Sequence, residues 1–291
     1  MNSIDRCFCA TSARIVLGAL AVVPAVTLTL GGCTQSTVIN GTHDVIASPS
    51  FSAGPVMPTE RSLRAEDLVP PLGSRTSFAV LSGSRKGKTI EVSVERATTP
   101  SALNEDPTPS TDAESRVRIV ERVERKPGDW RVSDEMLLAL AADGATLVEV
   151  VTHGEDSISR FAKPLPFAGT LTPTNSLDGA SPMEVVTISR GRSRGEGTAT
   201  RSLKIIGECD VDVSGRKMRA VVVELNFEAD LDVADAKFRA QLYVVPNEGV
   251  VAEVRHEDVL ILGILPRRSD ETVVRVERSL VPSRSRAPDS R

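Results

Sequence analysis

The sequence predicts a mainly β protein, an antiparallel meander with little helix outside its N-terminal signal segment. Three observations lead there. Apolar and charged residues alternate with period two through most of residues 74–281, which sets one face of each segment against a core and the other against water. Gly-, Pro- and Asp-containing turn signals separate the alternating runs at short intervals, as in hairpins. Apolar spacing of helical period is almost lacking. With one Trp, one Tyr and seven Phe, the core has to be aliphatic, and Val and Ile favour strands.

Taken in order, the chain opens with MNSIDRCFCATSAR, where Arg6 and Arg14 precede an apolar run at 15–32 that Pro24 interrupts. A positive start, an apolar middle and small residues at the end are the parts of a secretory signal. A membrane-spanning helix needs about 20 apolar residues; this run is slightly short, contains a proline and ends in Gly-Gly. An uncleaved anchor is therefore the weaker of the two readings. Leu30-Gly31-Gly32-Cys33 resembles the bacterial lipobox. The resemblance implies that 1–32 is a signal peptide recognised through Leu30, Gly31 and Gly32. Cys33 would receive diacylglyceryl through its thiol and an acyl group such as palmitate on its new amino terminus. Only a thiol forms that thioether, and small neighbours let the backbone enter a protease groove. Several acyl chains anchor stably where one does not. Thr34 lacks the aspartate that resembles an inner-membrane retention signal. The expected location is the cell envelope, lipid-anchored to the outer membrane on its periplasmic side.

Cys7 and Cys9 would leave with the signal and Cys33 would carry lipid, so Cys209 would have no intramolecular disulfide partner. Residues 33–73 comprise the lipidated cysteine and a Ser-, Thr-, Pro- and Gly-rich tether, whose middle has room for one short ordered piece. The tail at 282–291 is polar and loose by composition. Between them, 74–281 forms the β domain.

Within it, 76–81 and 90–95 form a hairpin across SGSRKGK. A Pro-, Thr- and Asp-rich insertion at 98–115 reads as disordered. Residues 117–125 alternate less strictly. In EMLLALAADGATLVEVV, Asp143-Gly144 signals a hairpin; a short helix at 134–142 capped by Ser133 competes, and the neighbouring strands favour the hairpin. Val221, Val223, Leu225, Phe227, Ala229, Leu231 and Val233 share one face, with Glu224, Asn226, Glu228, Asp230 and Asp232 on the other. After a turn near 234–236, Phe238, Ala240, Leu242 and Val244 repeat the pattern. A turn at Pro246-Asn247-Glu248-Gly249 leads into 250–255, 259–264 and 272–277.

KPLPFAG (163–169), GECDVDVSGRKMRAVVVE (207–224) and YVVPNEGVVAEVRHE (243–257) resemble a group of bacterial envelope proteins related in style to the lipoprotein carriers. That resemblance implies a curved sheet or half-barrel of antiparallel strands and an envelope role.

Net charge is −4 and Arg alternates with Glu, without the basic patch and stacking aromatics of nucleic-acid binders. GRSRG (191–195) matches the nucleophile-elbow pattern around Ser193, but EGTATRSLKI does not continue as the helix an elbow needs, and His256 is the sole histidine downstream. GSRKGKT (83–89) has three residues between its glycines where a phosphate loop needs four, and a strand follows; it reads as a basic turn. Glu224, Glu228, Asp230, Asp232 and Asp235 are splayed along strands, so no metal is expected. His43, His153 and His256 are scattered. Cys209, between Glu208 and Asp210, reads as a buried apolar thiol.

These features predict a non-catalytic envelope lipoprotein without a cofactor, attached to the membrane through Cys33, whose β domain binds a lipid, a glycan or an envelope protein. The alternatives are an assembly lipoprotein without a small ligand and a serine esterase using Ser193 and His256.

Overall fold

The computed structural model describes residues 48–97, 116–261 and 265–276. Among them run thirteen strands: β1 (Phe51–Ala53), β2 (Arg75–Val80), β3 (Thr89–Arg96), β4 (Arg116–Lys126), β5 (Asp129–Ala141), β6 (Gly144–Thr152), β7 (Ser157–Gly169), β8 (Ser176–Thr187), β9 (Ser193–Val213), β10 (Arg216–Leu231), β11 (Ala234–Val245), β12 (Gly249–Ile261) and β13 (Leu265–Val276). The one α-helical turn among the described residues is α1 (Ala65–Leu68).

The protein is mainly β and antiparallel throughout. From β2 to β13 each strand pairs with the next, and β13 pairs back onto β2 from Val273↔Val80 to Val276↔Ser77. The sheet therefore closes into a 12-strand barrel, which corrects the expected curved sheet or half-barrel. Closure gives the edge amides and carbonyls of β2 and β13 partners that an open sheet would leave bare. Two local readings also shift. The turn expected near 234–236 is Asp232-Val233, because Leu231 already pairs with Ala234. Residues 250–255 and 259–261 belong to one continuous strand, β12.

The period-two pattern translates into an inside and an outside. Val221, Val223, Leu225, Phe227, Ala229 and Leu231 of β10 are buried in the main core, while Glu228 and Asp230 are exposed. Phe227 meets Phe161 of β7 edge to face at 6.5 Å between ring centroids. Outside, Lys204 pairs with Glu224 at 2.8 Å, and Asp235, Lys237 and Arg239 of β11 are exposed. On β10 and β11 the apolar side chains thus face the lumen and the charged ones face out, the opposite polarity to a lipid-facing strand. No helix among the described residues is long and apolar enough to cross a membrane.

A second core lies on the opposite face of the same strands. Cys209, Val211 and Val213 of β9 and Ala220 and Val222 of β10 pack with Tyr243, Val251, Ala252 and Val274, and Phe51 of β1 seats its ring on Tyr243 at 4.9 Å. Both faces are thus buried around the β9–β10 hairpin.

β9 is 21 residues long, and β8 covers only its first part, ending at Ser176↔Lys204. Residues 51–57 pair with the remainder: Phe51–Ala53 with 211–213, and Met57 with Glu208. Gly207 makes the crossing possible. It sits at a bulge opposite Val222 with φ +150°, and a Cβ there would lie 2.4 Å from the Met57 carbonyl oxygen. The chain then bridges Leu63 to Leu171 and places α1 across one mouth of the barrel. Leu68 and Val69 pack on the main core. The Asp67 carboxylate accepts from Arg64 N at 2.9 Å and from Asn247 N in the β11–β12 turn at 2.8 Å, fixing the plug to the rim. The segment 48–73, read from composition as tether, is thus packed onto the barrel and its mouth.

Candidate functional site

The lumen is largely filled by side chains but retains a cavity of about 140 Å³. Its wall is apolar, with Leu68 from α1 above and Phe78, Ile119, Met136, Leu225 and Leu242 around it. Four charged residues interrupt that wall: Glu121, Arg201, Glu253 and Arg255. Charges this deep persist only with partners, because desolvation of a bare ion costs several kcal/mol.

Three of the four belong to one network. Glu121 on β4 and Asp134 on β5 are directly opposed, so both face inward. Arg85 reaches in from the β2–β3 turn. Gly83 permits this approach: its φ is +85°, and a Cβ there would lie 2.4 Å from the Asp270 carbonyl oxygen. Arg85 donates to Glu271 through Nε (3.1 Å) and Nη2 (2.7 Å), and to Glu121 Oε1 through Nη1 (3.1 Å). Ser133 Oγ donates to the same Glu121 oxygen at 3.0 Å. Arg255 donates to Glu253 at 2.7 Å and to Glu271 at 3.5 Å. Four acids share two guanidiniums, so the network favours a bound proton. Burial, reinforced by Asp134, raises the Glu121 carboxyl to about 8 despite Arg85. Burial likewise raises Glu271. Arg85 falls to about 10, burial outweighing its two glutamates, and still carries its charge at neutral pH.

Arg201 on β9 is different. It faces inward between Ala199 and Leu203, is 4% exposed, and has no carboxylate within ion-pair distance among the described residues. Burial alone lowers it to about 9, so it too is charged at neutral pH. Its position follows from β7. Pro164 and Pro166 lack the N–H groups a ladder needs, and β7 stays paired with β8 only from Ser157 to Phe161. Beyond that point β7 leaves β8, Pro166 packs under Gly179, and Arg201 Nη1 donates to the freed carbonyls of Pro166 and Phe167 (3.1 Å to Phe167). The guanidinium lies over the Phe167 ring, 4.9 Å from its centroid. The buried Nε–H has no partner among the described residues.

Arg201 also borders an outer groove of about 770 Å³ between β8 and β11, whose charged lining is Asp178, Glu224, Glu228 and Arg239. A second groove, of about 430 Å³, lies beside the second core between Met218 and Arg275.

The sequence-predicted residues do not gather at these features. Leu30, Gly31, Gly32, Cys33 and His43 lie outside the described residues, as does the 98–115 insertion. Ser193 begins β9 at the β8–β9 turn, opposite Val186. His256 sits on β12 and is engaged by Asp258 at 2.9 Å and by Asp270. β10 and β11 separate the two strands, and no Ser193–His256 contact forms. His153 pairs with Glu135 at 2.7 Å, which raises the imidazole and, with Arg118, holds Glu135 down at about 2. Cys209 is fully buried in mid-strand, and burial raises its thiol. The outer acids are engaged along the wall: Glu228 pairs with Lys237 at 3.9 Å, and Asp232 accepts from Glu196 N. The basic turn at 83–89 does form, but its Arg85 is buried in the lumen.

Sequence reasoning missed Arg201, Arg85 and Glu121. The period-two register contained a signal for two of them. Arg201 falls in the inward series Ala199–Leu203–Ile205, and Glu121 shares parity with Val117 and Ile119. KPLP likewise marks where a ladder must end. Comparison with protein-family models, with curated proteins and with solved structures gives no match to this chain.

Proposed function

We propose that the protein is a non-catalytic envelope lipoprotein, anchored through Cys33, whose barrel holds a small amphiphilic ligand. The observation that carries this reading is the lumen: a cavity of about 140 Å³ with apolar walls and a buried, uncompensated Arg201. Ligand sites combine mainly apolar walls with a few convergent polar groups. An engineered cavity of about 150 Å³ holds benzene, which sets the scale of the occupant. The charged outward face of β10 and β11 supports attachment through a lipid on the N-terminal side rather than through the barrel itself. The packed segment 48–73 supports a domain carried close to its anchor.

Native mass spectrometry of the full chain, extracted under several mild conditions, tests the binding role. A retained small molecule, or stoichiometric uptake of an added short-chain amphiphile, is the expected result. The absence of any adduct under all conditions would contradict it.

A second reading, an assembly lipoprotein without a small ligand, is favoured by the cavity falling below the roughly 300–1,000 Å³ of most ligand pockets. A reproducible protein cross-link in cells, together with no uptake of amphiphile, would select it.

A further inference from the structure

The charges of the lumen are not evenly compensated. Arg85 and Arg255 are each held by glutamates, and those glutamates by each other's partners. Arg201 is held only by two backbone carbonyls and an aromatic face. Carbonyl dipoles and a ring quadrupole stabilise a cation, but neither neutralises it. Nη1 is committed to the carbonyls. Nε is buried without a partner, and no hydrogen bond among the described residues engages Nη2. Nε and Nη2 form one edge of the guanidinium, with two parallel donors at the spacing a carboxylate accepts bidentately.

The surroundings suit such an occupant. The Arg201 side chain lines the apolar cavity, and its place on β9 also borders the outer groove, whose lining carries Asp178, Glu224 and Glu228 besides Arg239. The wall there is the stretch where β7 has parted from β8, and Gly179, which also borders the groove, has no side chain over Pro166. An apolar body in the cavity and a head group at Arg201 would satisfy the cavity wall and the guanidinium edge together.

Resting on the reading of the lumen as a ligand site, we propose that Arg201 is the head-group site and that the ligand is an organic carboxylate with a compact apolar body held in the lumen. The apolar body packs against Leu203, Leu225 and Phe167, and the carboxylate takes the Nε edge of Arg201. Neutral and cationic amphiphiles of the same body lack the complementary charge and are discriminated against.

The test is calorimetric titration of the full chain at pH 7 with hexanoate, hexan-1-ol and hexylammonium. Hexanoate should bind at least about tenfold tighter than either of the others, the scale of one charge-assisted bidentate contact. Arg201→Gln should lower hexanoate affinity by about tenfold or more while changing hexan-1-ol affinity less than about threefold. Should Arg201→Gln fail to fold, as judged by circular dichroism, the head-group series on the unaltered chain decides. Hexan-1-ol or hexylammonium binding as tightly as hexanoate, or a folded Arg201→Gln that keeps full hexanoate affinity, would overturn the assignment of Arg201 and leave the lumen as a ligand site. No binding of any of the three would overturn both.

Discussion

Arg85 and Glu271 meet in a two-point ion pair inside the barrel, at 3.1 and 2.7 Å, although 186 residues separate them in the chain. The pair joins the β2–β3 turn to β13 next to the seam where the sheet closes. Removing one member of a buried pair leaves the other desolvated and uncompensated. Arg85→Met should therefore destabilise the fold by about 3–5 kcal/mol. Combining it with Glu121→Gln and Glu271→Gln should recover most of that loss. Urea unfolding of the two variants measures both; a loss under about 1 kcal/mol for Arg85→Met would show that the network is not held by this residue.

The Glu121 carboxyl is raised from 4.5 to about 8, chiefly by burial and then by Asp134 opposite it. Between those two values the folded chain binds a proton that the unfolded chain releases, so stability falls as pH rises through that window. The contribution is fully present below about 4.5 and lost as pH climbs towards about 8. Glu121→Gln keeps a neutral, hydrogen-bonding side chain there. Its melting temperature should exceed that of the unaltered chain above pH 8 and vary less between pH 5 and 8. Parallel pH profiles for the two proteins would refute the buried protonated state.

The crossing of residues 54–57 over β9 depends on Gly207, where a Cβ would collide with the Met57 carbonyl at 2.4 Å and φ is +150°. Gly207→Ala should cost about 1–3 kcal/mol through backbone strain and displacement. The loss should be local at first. Amide exchange should accelerate at Gly54, Met57 and Glu208, whose N–H groups bond across this crossing, and stay slow in β10 and β11. Uniform acceleration across the barrel would mean that the segment is not an independent seal.

Much of the fold was legible in local pattern, and what escaped it was non-local. The alternation of Val221–Leu231 against Glu224–Asp230 identified inside and outside of β10 correctly, because period two is a direct consequence of strand geometry. Hairpins around 82–88, 142–144 and 246–249 followed from turn residues, to within a residue or two. Closure did not, since the β13–β2 seam joins residues nearly 200 positions apart and a strand's pattern is the same in an open sheet and a closed one. Residues 48–73 read as linker from their Ser, Thr and Pro content with room for one short ordered piece, while a few anchors (Phe51, Leu63, Asp67, Leu68) hold them on the barrel. The lumen charges escape local pattern for a related reason: composition reads Arg85 as part of a basic turn and does not single out the others. Arg85 and Glu271 look solvated until their partners arrive from distant strands.

Attachment at Cys33 has its own test. Growth with an alkyne-tagged palmitate should label the unaltered chain and leave Cys33→Ser unlabelled, with the variant shifted from the membrane to the soluble fraction. Equal labelling of both would contradict lipidation at that thiol.

Selective ¹³C-methyl NMR of the methionines tests occupation of the lumen most directly. Met136 lines the cavity, whereas Met218 packs in the second core and Met57 lies exposed at the crossing over Gly207. Titration of the full chain with hexanoate should move the Met136 methyl saturably and leave Met57 and Met218 in place. A Met136 signal unmoved at high hexanoate, or all three moving alike, would contradict a ligand in the barrel.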